Sequence, residues 1–162
     1  MSSTINHINT TLPGVITESY VDEKSRQEVI CAPASRLRDI VKILKDELKF
    51  DTLIDVVAID WLGKKEKRFE MDYLFLKLSP CTRVHLKVAL ECNDKPQVDS
   101  IIDLYPAADW AEREAFDMMG IQIVGHPNLK RLLMWEEFEG HPLRKDYPIN
   151  KRQPIPTVEK LL

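Results

Sequence analysis

The chain is poor in the residues that usually announce a chemistry. Its three cysteines, Cys31, Cys81 and Cys92, lie far apart and form no C-x-x-C pair. An odd, scattered set argues against a disulfide framework. It also leaves too few thiolates for the common iron-sulfur clusters, which take four. The cysteines read as small, partly buried hydrophobes in a reducing compartment. Five glycines, at positions 14, 63, 120, 125 and 140, make neither G-x-G-x-x-G nor a P-loop, so loops for nucleotides and flavins are missing. No serine or cysteine stands with a recognisable base beside it. No apolar run approaches the ~20 residues that cross a bilayer as a helix. The opening MSSTINHINTTLPG has no arginine, no apolar core and no small-residue cleavage site, and reads as neither secretion signal nor transit peptide. An excess of one charge is missing too. With 23 basic and 26 acidic residues, a net charge of -3 sets up no field that would gather nucleic acid or an anionic membrane. The basic residues after Pro127 (Lys130, Arg131, Arg144, Lys145, Lys151, Arg152, Lys160) are offset by Glu136, Glu137, Glu139, Asp146 and Glu159. A nucleic-acid arm would need a surplus on one face. Membrane association would have to come through another protein.

At 162 residues the chain fits one domain, long enough to bury roughly two thirds of its unfolded surface without metals or disulfides. Residues 1–12 are polar and read as a flexible lead-in. Gly14 to Val21 and Gln27 to Ala32 read as strands joined in a hairpin across Asp22 to Arg26. From Pro33 onward, Leu37, Ile40, Val41, Leu44 and Leu48 recur at spacings of three and four, the pattern of an amphipathic helix. Thr52 to Trp61 is apolar on both faces, which predicts a central strand. Phe69, Met71, Tyr73 and Phe75 alternate, as do Val84, Leu86, Val88 and Leu90, and Ser79-Pro80 turns the chain between these two strands. Pro96 to Asp103 suggests a short helix. These elements predict an α+β fold over residues 13–123, a two-layer arrangement with a mixed or mostly antiparallel sheet packed against one or two helices. Beyond Val124 prolines recur at 127, 142, 148, 154 and 156 and periodicity ends. Residues 124–162 therefore read as a long, extended and irregular C-terminal arm that docks on a partner subunit. Such an arm must lie on the domain or on a neighbour to offset its ordering entropy.

The densest patterning falls between Trp110 and Pro148. Asp109 with Glu112 suggests a capping box opening a helix, and Gly120 suggests a left-handed cap closing it. The helix carries Glu112, Arg113, Glu114 and Asp117 among apolar residues, so it should be covered on more than one side. Its carboxylates and Arg113 face a choice of cationic partners in Lys130, Arg131, Arg144 and Lys145. A structural ion-pair network explains these residues better than acid-base catalysis, which needs a pocket. His126 and His141 each sit in Gly-His-Pro. Two histidines with a carboxylate can hold a catalytic metal, but these are 15 positions apart and each precedes a proline, which points to chain reversals with the imidazoles bonded to backbone. His85, between Val84 and Leu86, reads as an outward or satisfied strand residue. Trp110, Phe116, Trp135, Phe138 and Tyr147 are the residue types of an interface, or of a satellite core under the arm.

The same stretch resembles the family of the C-type subunit of the proton-pumping NADH:quinone oxidoreductase, respiratory complex I, known as the thirty-kilodalton subunit. The resemblance is carried by Glu112-Arg113-Glu114, Phe116-Asp117, Gly120-Ile121, Gly125-His126-Pro127, Lys130-Arg131-Leu132-Leu133 and the run from Glu139 to Pro148. Looser similarity reaches back through Tyr73 and Asp60 to about Val29. Lys130 stands where arginine is expected, and Met119 where an aromatic or leucine is frequent. The resemblance implies a chain without catalytic residues, cofactor or metal of its own, with FMN and Fe-S clusters held in other subunits. It implies a hetero-oligomer in which this chain packs on the large D-type protein that helps form the quinone site. That places it in the peripheral arm, on the cytoplasmic side of the bacterial inner membrane. It marks Glu112, Arg113, Glu114, Asp117, His126, Arg131, His141, Arg144, Lys145, Asp146 and Tyr147 as partner-interface or structural residues. Charge reversal at Arg144 is then expected to hurt assembly more than folding. The alternatives are the equivalent subunit of a membrane-bound hydrogenase or formate hydrogenlyase, and a free-standing metal hydrolase using His126 and His141.

Overall fold

The computed structural model describes residues 3–91 and 94–154, so Cys92 and the last residues of the arm lie outside the described residues. Alternation builds the main sheet. Strands β1 (Glu18–Val21) and β2 (Glu28–Pro33) form the expected hairpin. Strands β4 (Phe69–Lys77) and β5 (Thr82–Ala89) form the second, turning through a cis Ser79-Pro80 bond. Register sets Ile30, Leu86 and Tyr73 side by side on one face, flanked by Phe75, Met71, Val84 and Val88. All of these are buried. Helix α2 (Leu37–Lys42) follows a short 3-10 turn and closes through a π turn at Ile43–Glu47, burying Leu37, Ile40, Val41, Ile43 and Leu44. The opposite sheet face carries Glu70, Asp72, His85 and Lys87. There His85 is satisfied by Asp72 (3.2 Å) and by Gln27 (2.6 Å).

The fold is α+β with a mixed sheet in the order β1-β2-β5-β4-β3, where β3 is Thr52–Asp60. β2 and β5 run parallel, and the other neighbours run antiparallel. Three expectations are corrected. Strand β3 (Thr52–Asp60), expected at the centre, is an edge strand. Its inner face packs on the core through Leu53 and Val56, whereas Ile54 and Val57 stay exposed. Apolar residues on both faces mark surface that needs a cover, not a place within the sheet. The segment Pro96 to Asp103 is no helix. Gln97–Asp99 forms strand β6, paired in parallel with β7 (Gln122–Val124), and this long-range pairing overrides the local signal. The lead-in is ordered as helix α1 (Ser3–Thr11). Ile5 and Ile8 reach the core and His7 meets Glu47 at 2.6 Å. Burying two isoleucines at about 1.5–3 kcal/mol each offsets the weak helix propensity of the flanking threonines and asparagines.

Candidate functional site

Helix α3 (Ala108–Met119) carries the signature residues, and its two ends are treated differently. No capping box opens it: the helix starts after Ala107, without a side-chain cap, and Asp109 lies in its first turn. Glu112 serves another purpose. Fully buried, its carboxylate accepts the Ile101 N–H (2.8 Å) and the Ser100 hydroxyl (2.6 Å), holding the turn after β6 against the helix. Burial pushes its pKa up, against the pull of those two donors. His126 sits beside this pair. Asn128 N–H donates to its Nδ1 (3.1 Å), which leaves the proton on Nε2. That nitrogen lies 3.3 Å from the Asp109 carboxylate, 3.4 Å from the Asp109 carbonyl and 4.0 Å from Glu112.

Asp117, on the last full turn, is the helix's other buried carboxylate. Its Oδ2 accepts three successive backbone N–H groups, from Leu132 (3.0 Å), Leu133 (2.8 Å) and Met134 (2.9 Å), and its Oδ1 takes Arg131 at 2.7 Å. Burial alone would raise its pKa, but the N–H groups of Met134 and Leu133, then Arg131 and Leu132, outweigh burial and hold it below the ordinary value. Arg131 reaches on to the carbonyls of Phe138 (2.8 Å) and Gly140 (3.3 Å), so one side chain fixes the whole loop between them.

The helix end explains the Gly-His-Pro-Leu-Arg run. A helix leaves its last four carbonyls without partners. Here the arm supplies donors from Asp117 to Gly120. The Nδ1–H of His141 meets the Asp117 carbonyl (2.9 Å), the Leu143 N–H meets Met118 (3.2 Å), and Arg144 meets Met119 (2.6 Å) and Gly120 (3.5 Å). A cation at this end also answers the negative pole of the helix. Gly120 closes the helix at φ 69, as expected. A Cβ there would press on the His141 ring and lie 2.6 Å from the Arg144 guanidinium, so glycine is needed both for the turn and for the arm's approach.

A second clasp lies alongside. Arg68 bonds Asp60 through Nε (2.9 Å) and a terminal nitrogen (2.8 Å), and bonds Asp146 of the arm at 2.9 and 2.7 Å. The Lys145 N–H adds a third donor to Asp60 (2.9 Å). Hydrogen bonding from Arg68 carries the buried Asp60 carboxyl down to about 2, against desolvation. Arg68 and Arg144 lie over the Phe69 ring, at 4.7 and 5.0 Å.

Of the expected residues, Glu112, Asp117, His126, Arg131, His141 and Arg144 are engaged inside the chain. Arg144 faces its own helix and Phe69, so the structural half of the sequence reading describes it. Arg113 donates to the carbonyls of Lys130 and Arg131 (both 3.2 Å). Tyr147 stacks on Phe138, which meets Trp135 edge-on, a satellite core beneath the arm. Its hydroxyl accepts from Gln153. Asp146 pairs with Arg68, whereas the side chains of Lys145 and Glu114 are exposed. Trp110 is also exposed. His126 and His141 do not meet. They bond opposite ends of α3, at Asp109 and Asp117, positions about 12 Å apart along a helix. Among the described residues no three His, Cys, Asp or Glu side chains gather as a metal site. Cys31 and Cys81 are free thiols, and no described helix is long and apolar enough to cross a membrane. Sequence reasoning missed the pairing of Asp60 with Arg68. The signal was there: an aspartate ends a nearly unbroken apolar strand and an arginine stands just before the next one.

The arrangement defines a class: an α+β domain whose most patterned stretch clamps its own C-terminal arm to one helix end. The chain belongs to the family described as "Respiratory-chain NADH dehydrogenase, 30 Kd subunit", whose model matches residues 30–153. The C-type subunit of NADH-quinone oxidoreductase from Rhodopseudomonas palustris is 40% identical over 140 residues, covering 85% of this chain and 66% of the relative, about two thirds of its length. That of Geobacter sulfurreducens is 36% identical over 129 residues, covering 80% and 79%. A solved chain from the membrane-bound sulfane sulfur reductase (MBS), an archaeal respiratory membrane complex, superposes with a TM-score of 0.76 at 25% identity, covering 90% of this chain and 84% of that one.

Proposed function

We propose that this chain is a non-catalytic scaffold subunit in the peripheral arm of a proton-translocating NADH:quinone oxidoreductase. Other subunits carry electrons from NADH through FMN and Fe-S centres to quinone. The chain itself holds no cofactor, packs on the large D-type protein of the quinone site, and sits peripherally on the cytoplasmic side of the bacterial inner membrane. The observation that carries this reading is the use of the signature residues. Asp117, Arg131, His141 and Arg144 bond helix to arm within the chain, and relatives matched over most of this chain are C-type subunits of that oxidoreductase. A second reading, the equivalent subunit of a related respiratory membrane complex, draws on the likeness to the chain from the sulfane sulfur reductase. Affinity purification of the tagged chain from gently solubilised membranes of its source, with mass spectrometry of what accompanies it, separates the two. Flavin- and iron-sulfur-bearing NADH dehydrogenase subunits are expected. Hydrogenase-type, formate-linked or sulfur-reducing subunits select the second reading, and a chain recovered alone overturns both.

A further inference from the structure

The two edges of the main sheet are not equivalent. β1 spans four residues, too short to template another strand. β3 spans nine, and its sequence TLIDVVAID contains neither of the usual blunting residues, lysine and proline. One irregularity, between Leu53 and Asp55, interrupts it, and from Asp55 to Asp60 its register with β4 is unbroken.

Which backbone groups point outward follows from the ladder. The Trp61 N–H donates to the Arg68 carbonyl (2.7 Å), one step beyond the Asp60–Phe69 pair. Antiparallel pairs alternate, so Ile59, Val57 and Asp55 bond to β4, and Ala58 and Val56 turn their N–H and C=O groups away from it. The Val56 N–H is taken by the neighbouring Asp55 carboxylate (2.8 Å), as expected of a group outside the ladder. Beside this edge runs a groove between β3 and α3, lined by Val56, Val57, Ala58, Ala115, Met118 and Leu143. Val57 and Leu143 in this lining are 41% and 54% exposed, and Ile54 on the same strand is 46% exposed. The charged residues in the lining are Asp55 and Glu114, both acidic, with no basic residue among them. Glu114 makes no ion pair with the described residues.

We propose that in the assembled complex an extended segment of a neighbouring subunit adds to this sheet beyond β3. Its backbone bonds the N–H and C=O of Ala58 and the C=O of Val56, alternate apolar side chains fill the β3–α3 groove, and a lysine or arginine sits against Asp55 and Glu114. Strand addition of this kind takes affinity from the main chain and specificity from pockets for alternate side chains. The inference rests on the scaffold reading and deepens it by naming the surface and the chemistry of its partner.

The test compares amide hydrogen exchange in the isolated full chain with that in the complex purified through the tagged chain. The Ala58 amide is expected to slow by about tenfold or more on assembly, and an unchanged rate overturns the proposal. Two variants add an independent readout. Ala58→Pro removes an outward N–H without touching the bonds to β4, and Glu114→Lys reverses the rim charge. Each is expected to keep the wild-type melting temperature and lower the yield of complex by about tenfold. Full recovery with both variants overturns the proposal alone, whereas a wild-type chain that brings down no other protein of the complex overturns the scaffold reading and this inference together. An isolated chain that sediments as a dimer, and as a monomer after Ala58→Pro, assigns the edge to a second copy and also overturns the proposal.

Discussion

The two flanks of α3 treat their polar groups in opposite ways. Toward the arm, the carbonyls from Asp117 to Gly120 find donors, and the Asp117 carboxylate collects three N–H groups and a guanidinium. Toward β3, Ala58 turns its backbone outward and Glu114 stands without an ion partner among the described residues. The lesson is that density of motif and openness to a partner are separate properties. The stretch richest in charged and aromatic residues is busiest inside the chain, and the edge most open to a neighbour lies in a strand of plain valine, isoleucine and alanine.

The sharpest way to break this contrast is to empty the seam at its centre. Asp117→Ala leaves three backbone N–H groups and Arg131 without their acceptor, and is expected to cost about 3–5 kcal/mol in urea unfolding of the isolated chain, with the arm cleaved early in limited proteolysis. Arg144→Glu comes next. It removes the donor to the Met119 carbonyl and sets a carboxylate at the negative end of α3, near Asp60 and Asp146. A loss of about 2–3 kcal/mol is expected in the isolated chain, so folding suffers along with any assembly. Acid probes the second clasp. The folded pKa of Asp60, about 2, lies below its unfolded value of 3.8. Its contribution is therefore complete above that unfolded value and is lost as the pH falls toward the folded one. About 2 kcal/mol should disappear over that interval. Unfolding series along it should show a loss about 2 kcal/mol larger in wild type than in Asp60→Asn, where Asp117 and the other lowered carboxylates still titrate. Glu112, raised by burial, moves the other way, because protonation removes a buried charge. The smallest effect belongs to the other flank: Glu114→Lys should change stability by no more than about 0.5 kcal/mol.

Much of this was legible in the sequence where the signal is local. The hairpins, the α2 stripe and the Gly120 cap follow from alternation, three-four spacing and a residue that tolerates positive φ. Glu112 and Asp117 were visible as carboxylates needing partners, but the partners were not. Glu112 looked like half of a capping box because Asp109 stands three residues before it, and only the fold brings Ser100 and Ile101 to it. The backbone bonding of His141 was anticipated from Gly-His-Pro, but Arg144 looked outward-facing because its acceptors are main-chain carbonyls, which carry no sequence signature. Helix α1 was hidden by its polar composition, although Ile5 and Ile8 already sit one turn apart.

The central claim is that the arm is clamped by the chain's own α3 before any partner arrives. Amide hydrogen exchange of Leu132, Leu133 and Met134 in the isolated chain tests it most directly, since all three amides donate to Asp117. The account predicts protection in the free chain, lost together in Asp117→Ala. Exchange at the rate of an unfolded peptide in the free chain, with protection gained only in the assembled complex, would contradict it.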